Sequence, residues 1–260
     1  MSRVRVNGIE LNYEVHGEGF PVVFLHGFVG TVNMWRPQIP ALSREFRFII
    51  YDARGHGESE SPASEEQYSA DLVVEDLNQV LTALGETKAV VGGLSMGGYE
   101  SLRFCLTHPD MVAALILMDT GPGYRNPARR DEWNRQQEER ARLLLEQGIE
   151  AFAAGAPTYT PREHILRLNP VGLANMARKV VAQHDSWVIE NLGEVKVPTL
   201  VLVGERDTPF LAASEYMERA IPDARRVVVP DAGHAANLDN TEAFNHAVLD
   251  FLGSLALPRG

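Results

Sequence analysis

Val90-Val91-Gly92-Gly93-Leu94-Ser95-Met96-Gly97-Gly98-Tyr99 is the stretch from which the fold of this chain can be read. An apolar run suited to a strand passes through a serine flanked by glycines into a segment with helical spacing. Its centre, Gly93-Leu94-Ser95-Met96-Gly97, matches G-x-S-x-G, a sharp strand-to-helix turn that lifts a serine hydroxyl above a sheet. Glycine is needed two positions to either side, because side chains there would collide in so tight a turn. The turn leaves Ser95 at a helix N-terminus, where unpaired N–H groups favour negative charge. Five residues alone prove little, so the flanking chain must supply a strand before, a helix after, and then an acid and a histidine.

Upstream, residues 4–15 read as a hairpin, two alternating segments around Asn7-Gly8, whose preference for positive φ suits a type I′ turn. Pro21 to Leu25 is a continuous apolar run, as in a strand buried on both faces, and it ends at His26-Gly27. A helix containing Trp35 and Leu42 is expected next, then a strand from Phe46 to Tyr51 and a turn from Asp52 to Gly57. Ser69 is placed to cap a helix whose Leu72, Val73, Leu77, Val80, Leu81 and Leu84 form one apolar face, with Gly85 closing it. Downstream, a helix from Glu100 to Thr107 stops before Pro109, and Ala114 to Met118 is a strand. Alternating strands and helices imply a parallel sheet with helices on both faces.

Beyond Gly121 no buried-strand run occurs until Pro198. Residues 122–195 are expected to form a helical cap, with a helix from Glu132 to Leu145, a capping box at Thr160-Pro161-Arg162-Glu163, and another helix beginning at Asn169-Pro170. Core segments 1–121 and 196–260 enclose it in sequence. The sheet resumes with buried strands at Pro198 to Val203 and Arg225 to Val229, and a helix from about Thr241 to Leu255 ends the chain. Gly204-Glu205-Arg206-Asp207 and Asp231-Ala232-Gly233-His234 follow those two strands. Functional groups in open α/β sheets gather at the carboxyl ends of strands, so Asp207 and His234 can converge with Ser95.

The composition sets limits. The 260 residues are 45% hydrophobic and 23% charged, enough for a sizeable core. A net charge of −11 argues against nucleic acid or an anionic membrane as partner. A single cysteine, Cys105, excludes an intramolecular disulfide, and the start of the chain lacks the apolar run of a signal peptide; a cytoplasmic location is expected. No G-x-G-x-x-G, G-x-x-x-x-G-K-[ST] or H-E-x-x-H is present, so no cofactor and no metal are expected.

The motifs Leu25-His26-Gly27-Phe28, Asp52-Ala53-Arg54-Gly55-His56-Gly57, the Ser95 turn, Gly204-Glu205-Arg206-Asp207 and Gly233-His234 together resemble the α/β-hydrolase superfamily over essentially the whole chain. Trp35-Arg36-Pro37-Gln38 and the Ser95 stretch are similar to its 3-oxoadipate enol-lactonase and carboxylesterase branch, although His26-Gly27-Phe28 has the general esterase form. The resemblance implies a mostly parallel eight-stranded sheet flanked by helices, with the cap inserted after the sixth strand. It implies Ser95 as nucleophile, His234 as general base and Asp207 as the acid that orients it, with the backbone N–H groups of Phe28 and Met96 holding the oxyanion. Asp119 is a second candidate for the acid, and His26 and Asp52 are expected to fix turns. Phe28, Met96, Trp187, Phe210 and Leu211 are the expected pocket residues, with Trp133 and Trp187 open to a packing role instead.

The activity implied is cleavage of a small carboxylic ester or lactone through an acyl-enzyme on Ser95, by a monomer or homo-oligomer. A C–C bond hydrolase and a perhydrolase-type relative are the alternatives, and a non-catalytic receptor on the same fold is a third. Serine rather than aspartate at the turn disfavours the haloalkane dehalogenase and epoxide hydrolase branches.

Overall fold

Asn7 and Gly8 both take positive φ, 43° and 80°, and fold Ser2–Val6 (β1) back on Ile9–His16 (β2) as the hairpin predicts. The computed structural model describes residues 2–156 and 160–257. Six further strands complete one sheet: Phe20–Leu25 (β3), Phe46–Tyr51 (β4), Ala89–Leu94 (β5), Val112–Met118 (β6), Thr199–Gly204 (β7) and Ala224–Val229 (β8). Their spatial order is β1-β2-β4-β3-β5-β6-β7-β8, antiparallel for the first two neighbouring pairs and parallel for the rest.

The alternation of side chains along each central strand divides the core into two layers. Val23 and Leu25 of β3 face one side, which is covered by Ala70–Ala83 (α2) through Leu77, Val80 and Leu81 and by Met96–Thr107 (α3) through Leu102 and Phe104. Val22 and Phe24 face the other, where Trp35, Leu42 and the C-terminal helix Thr241–Ser254 pack through Phe244, Val248 and Phe251. Each such side chain contributes about 1.5–3 kcal/mol by leaving water. The Ser69 hydroxyl accepts the Leu72 N–H, so the cap of α2 forms as expected, and Gly85 follows at φ 80°.

Three local expectations are corrected. The single helix around Trp35 and Leu42 is instead a short turn of helix, Val32–Trp35, and a separate Ile39–Leu42 (α1), because Pro37 has no N–H with which to continue the helical ladder, although Arg36 before it keeps helical dihedrals. In Arg162–Ile165 the N-cap position falls on Pro161, so Thr160 lies outside the helix. The strand β8 is not buried throughout: it pairs with β7 alone and exposes Arg225 and Val228, as an edge strand does. Both rims of the sheet carry exposed arginines, Arg3 and Arg5 on β1 and Arg225 on β8.

The turn after β4 is tied to α2 by a fully buried ion pair. Arg54 Nε and Nη2 donate to the two carboxylate oxygens of Asp76, each at 2.6 Å. Burial pushes the Asp76 carboxyl up, against the Arg54 hydrogen bonds that pull it down. Removing one member leaves a buried uncompensated charge, so Asp76→Ala should cost about 3–5 kcal/mol. A urea midpoint falling at unchanged slope would register that loss; a change under 1 kcal/mol would show that Arg54 finds other partners.

Between β6 and β7 the chain forms helices only among the described residues, the longest Pro127–Glu146 (α4), followed by Gly148–Ala154 (α5), Arg162–Ile165 (α6), Pro170–Met176 (α7) and Trp187–Glu190 (α8). Ala141, Leu144, Leu173, Met176 and Val180 of this segment pack with Phe28 and Met96 of the sheet end.

Candidate active site

Ser95 stands between β5 and α3 with φ 55° and ψ −112°, a strained backbone that a non-glycine residue rarely adopts. Its N–H donates to the Met118 carbonyl at 2.9 Å, and its own carbonyl accepts from Thr120 Oγ1 at 2.7 Å, so both neighbours of the turn hold it. A Cβ at Gly93 would meet the Gly97 backbone, and one at Gly97 would meet the Leu25 carbonyl, which is the crowding the glycines were expected to relieve. Met96 opens α3, so its N–H has no carbonyl of the preceding turn to serve.

The loop after β3 carries Phe28 to the same cavity. Val29 there has φ 59°, and its N–H donates to His56 Nε2 at 3.3 Å. His26 Nε2 accepts the Ala53 N–H at 2.9 Å, and Asp52 accepts from Val32 N, Glu58 N and Asn12 Nδ2 at 2.7–3.0 Å. Both rings must be neutral to accept. Burial lowers the His26 pKa, and burial with the nearby His26 drives His56 down to about 3. The turn-fixing roles expected of His26 and Asp52 thus extend to His56.

Asp207 stands at the N-cap position of the helix Thr208–Ala220 (α9) after β7 without a capping hydrogen bond from its side chain, and His234 lies in the loop after β8. His234 Nδ1 is 2.8 Å from Asp207 Oδ2, and the Phe210 ring stacks on the imidazole with centroids 5.0 Å apart. A carboxylate at Nδ1 keeps the proton there and makes Nε2 the basic nitrogen. Asp119, at φ 45° beyond β6, does something different. Its Oδ1 accepts the Gly204 N–H at 2.7 Å and its Oδ2 the Ala236 N–H at 3.2 Å, so one carboxyl spans the loops of Asp207 and His234. Burial, reinforced by the Asp207 charge, pushes the Asp119 carboxyl well up.

Ser95, Phe28, Met96, Asp207, Phe210 and His234 all line one cavity of about 730 Å³. Two expected pocket residues do not. Trp187 lies under the Arg103 guanidinium, 5.3 Å from ring centroid to Cζ, and packs into the core layer of α3. Leu211 is absent from the lining because α9 turns Pro209, Phe210 and Ala213 toward the cavity, and the next position points elsewhere. Trp133, left open between packing and pocket, lines the cavity and donates from Nε1 to the Val181 carbonyl at 2.8 Å. Sequence reasoning missed the rest of its helix face: Trp133, Gln136, Arg140 and Leu143 all border the cavity, and their 3-4-3 spacing was the available signal.

Glu100, on α3, was also missed. It is buried, neither carboxyl oxygen has a hydrogen-bonding partner, and burial raises its pKa to about 8. An unfolded chain releases this proton near 4.5, whereas the folded chain holds it to about 8. Between those values the folded state binds the extra proton, so stability falls as pH rises, by up to about 1.4 kcal/mol per pH unit. Glu100→Gln should flatten that slope and be more stable than the parent above pH 8. Denaturation curves at pH 5, 7 and 9 test this, and equal slopes for both proteins would refute it.

Among the described residues, no group of three His, Cys, Asp or Glu is arranged to hold a metal ion, and no helix is long and apolar enough to cross a membrane. Residues 21–160 match the family model for the alpha/beta hydrolase fold, and residues 175–260 match a TAP-like protein model. A thermophilic esterase from Thermogutta terrifontis is 32% identical, superposes with a TM-score of 0.88, and is matched over 97% of this chain and 98% of its own. The enol-lactonase from Burkholderia xenovorans LB400 is 28% identical with a TM-score of 0.86, over 97% and 100% of the two chains. The AB hydrolase superfamily protein YisY of Bacillus subtilis is 29% identical over 95% of this chain and 96% of its own. A mostly parallel eight-stranded sheet, a strained serine turn at its centre and a family match across more than half the length leave one conclusion: the chain belongs to the alpha/beta hydrolase family.

Proposed function

We propose that the protein is a serine hydrolase that cleaves a small carboxylic ester or lactone through an acyl-enzyme on Ser95. The observation that carries this reading is the convergence on one cavity of a strained serine turn and a histidine paired with a buried aspartate. The Ser95 hydroxyl attacks the carbonyl carbon while His234 Nε2 takes its proton, and Asp207 stabilises the imidazolium that forms. The carbonyl oxygen becomes an oxyanion facing the backbone N–H groups of Met96 and Phe28, each worth about 3–4 kcal/mol to the transition state. Collapse of the tetrahedral species expels the alkoxide, which His234 protonates. Water, deprotonated by the same nitrogen, then releases the acid and regenerates the hydroxyl. The helices of residues 122–195 serve as a cap, contributing Trp133 and Phe152 to the cavity wall together with Phe210 of α9. The chain works without a cofactor on a small-molecule substrate, in the cytoplasm.

The similarity to an esterase and an enol-lactonase supports an ester or lactone bond as the target. A panel of short aryl esters, five- and six-membered lactones and vinylogous diketones tests it. Hydrolysis of esters or lactones, with a covalent acyl adduct on Ser95 seen by mass spectrometry of quenched enzyme, is the expected result. Cleavage of the diketones alone would assign C–C bond hydrolysis instead.

A further inference from the structure

The helical turn Ala177–Val181 ends at Ala182, whose ψ of 141° sends the chain into extended backbone. Extended backbone outside a sheet has no regular partners for its N–H and C=O groups. At Gln183 the side chain of Asn134, on α4, supplies both. Asn134 Oδ1 accepts the Gln183 N–H and Asn134 Nδ2 donates to the Gln183 carbonyl, each at 2.8 Å. Two residues back, the Val181 carbonyl accepts from Trp133 Nε1 at 2.8 Å. Consecutive residues of α4 thus pin this segment, and Val181 and Gln183 both line the cavity.

Gln183 is 9% exposed, and its Oε1 accepts the Tyr124 N–H at 3.0 Å. A backbone N–H can only donate, so this bond fixes which end of the amide is oxygen and which is nitrogen. Gly123 lets the chain come so close: a Cβ there would stand 2.9 Å from Gln183 Oε1 and 3.4 Å from the Tyr99 ring. The main-chain N–H, the main-chain carbonyl and Oε1 of Gln183 are therefore all engaged. Nε2 makes no hydrogen bond to the described residues, and it is not among the side-chain atoms sealed from solvent-accessible space. A buried residue of the cavity wall thereby turns two N–H donors of fixed orientation toward the cavity.

On the serine-hydrolase reading above, we propose that Gln183 Nε2 binds a second, neutral carbonyl oxygen of the substrate, apart from the scissile one. The ester or lactone taken is then one that carries a further keto or ester carbonyl. A carbonyl is favoured over a hydroxyl because the carbonyls beside Nε2, those of Val181 and Gln183, already accept from Trp133 and Asn134. A hydroxyl would bring a donor of its own to this patch, whereas a carbonyl oxygen brings only lone pairs.

Two matched pairs of esters test this. Phenyl 5-oxohexanoate against phenyl hexanoate places the ketone on the acyl side, and 5-oxohexyl acetate against hexyl acetate places it on the alcohol side. Hydroxide-catalysed rates of the same esters correct for intrinsic reactivity. Wild type should favour the keto member of at least one pair by about three- to tenfold in kcat/KM, the effect of one neutral hydrogen bond. Gln183→Leu removes the donor, and Gln183→Glu, assayed at pH 9 as the carboxylate, removes the donor and keeps an acceptor for the Tyr124 N–H. Both should bring the ratio to about one or below. Thermal melts show whether each variant is folded, and if one is not, the other decides. A wild-type preference under twofold in both pairs overturns the proposal without any variant, and so does a preference unchanged in a folded variant. Ser95→Ala protein titrated with the same esters, followed by tryptophan fluorescence, separates the two readings. Selective binding of a keto ester with no ester hydrolysed by wild type removes the serine-hydrolase reading and keeps the Gln183 subsite. Hydrolysis of both members of each pair at equal corrected rates does the reverse.

Discussion

Ser95→Ala should lower kcat for an activated ester by about 10⁶-fold while KM stays near its parent value. The hydroxyl makes no use of its position until the carbonyl is attacked, so its removal takes away transition-state bonding and little ground-state binding. Cβ remains, and alanine at φ 55° bears the same backbone strain as serine, so the fold should be retained. Single-turnover hydrolysis of p-nitrophenyl acetate, with fluorophosphonate labelling alongside, measures the effect. A variant within tenfold of the parent would mean that the covalent route through Ser95 is wrong.

Asp207→Asn should cost about 10⁴-fold in kcat. An amide in place of the carboxylate 2.8 Å from Nδ1 can present its NH₂ group, which reverses the tautomer, and it carries no charge to meet an imidazolium. Asp119→Asn should cost far less. There the change removes one of two buried acceptors that hold the backbone of Gly204 and Ala236, a loss of about 1–3 kcal/mol, or about 5- to 150-fold if it falls wholly on the loops. Comparing kcat for the two variants at one pH separates orientation of the base from anchoring of the loops that carry it. A larger loss at Asp119 would make it the acid partner of His234.

How much of this was legible in advance depended on whether a residue's position follows from backbone rules or from packing. The Ser95 turn, the Asn7-Gly8 hairpin and the capped α2 were readable because each rests on local conformational preferences that no tertiary contact needs to supply. Asp207 and His234 were readable from strand ends, since a parallel sheet brings those ends together. Side chains on the helices after β6 were not. Trp187 and Arg140 are both on helices of that segment, and their facing depends on how each helix is rotated against its neighbours. A tryptophan suggests a pocket by its size, yet Trp187 fills a gap beside Arg103, whereas the charged Arg140 borders the cavity. Leu211 failed for a similar reason, one position around a helix from Phe210. The β8 strand misled through composition: Val227-Val228-Val229 is as apolar as an inner strand, and only its place at the rim shows why Arg225 and Arg226 precede it.

That rim has a consequence for how copies of the molecule meet. An open sheet ends in two rows of unspent N–H and C=O groups, each a template on which another extended chain can add. Here Arg225 reaches Asp250 at 2.9 Å, and Arg226 reaches Glu218 at 3.4 Å, laying ionised, strongly hydrated pairs along one end. Arg3, paired with Glu10, and the exposed Arg5 stand at the other. A strand docking on either rim would have to strip water from these groups before it gained a single ladder bond. Charges that add little to the stability of one molecule are thus placed where they disfavour the addition of a further strand at either rim.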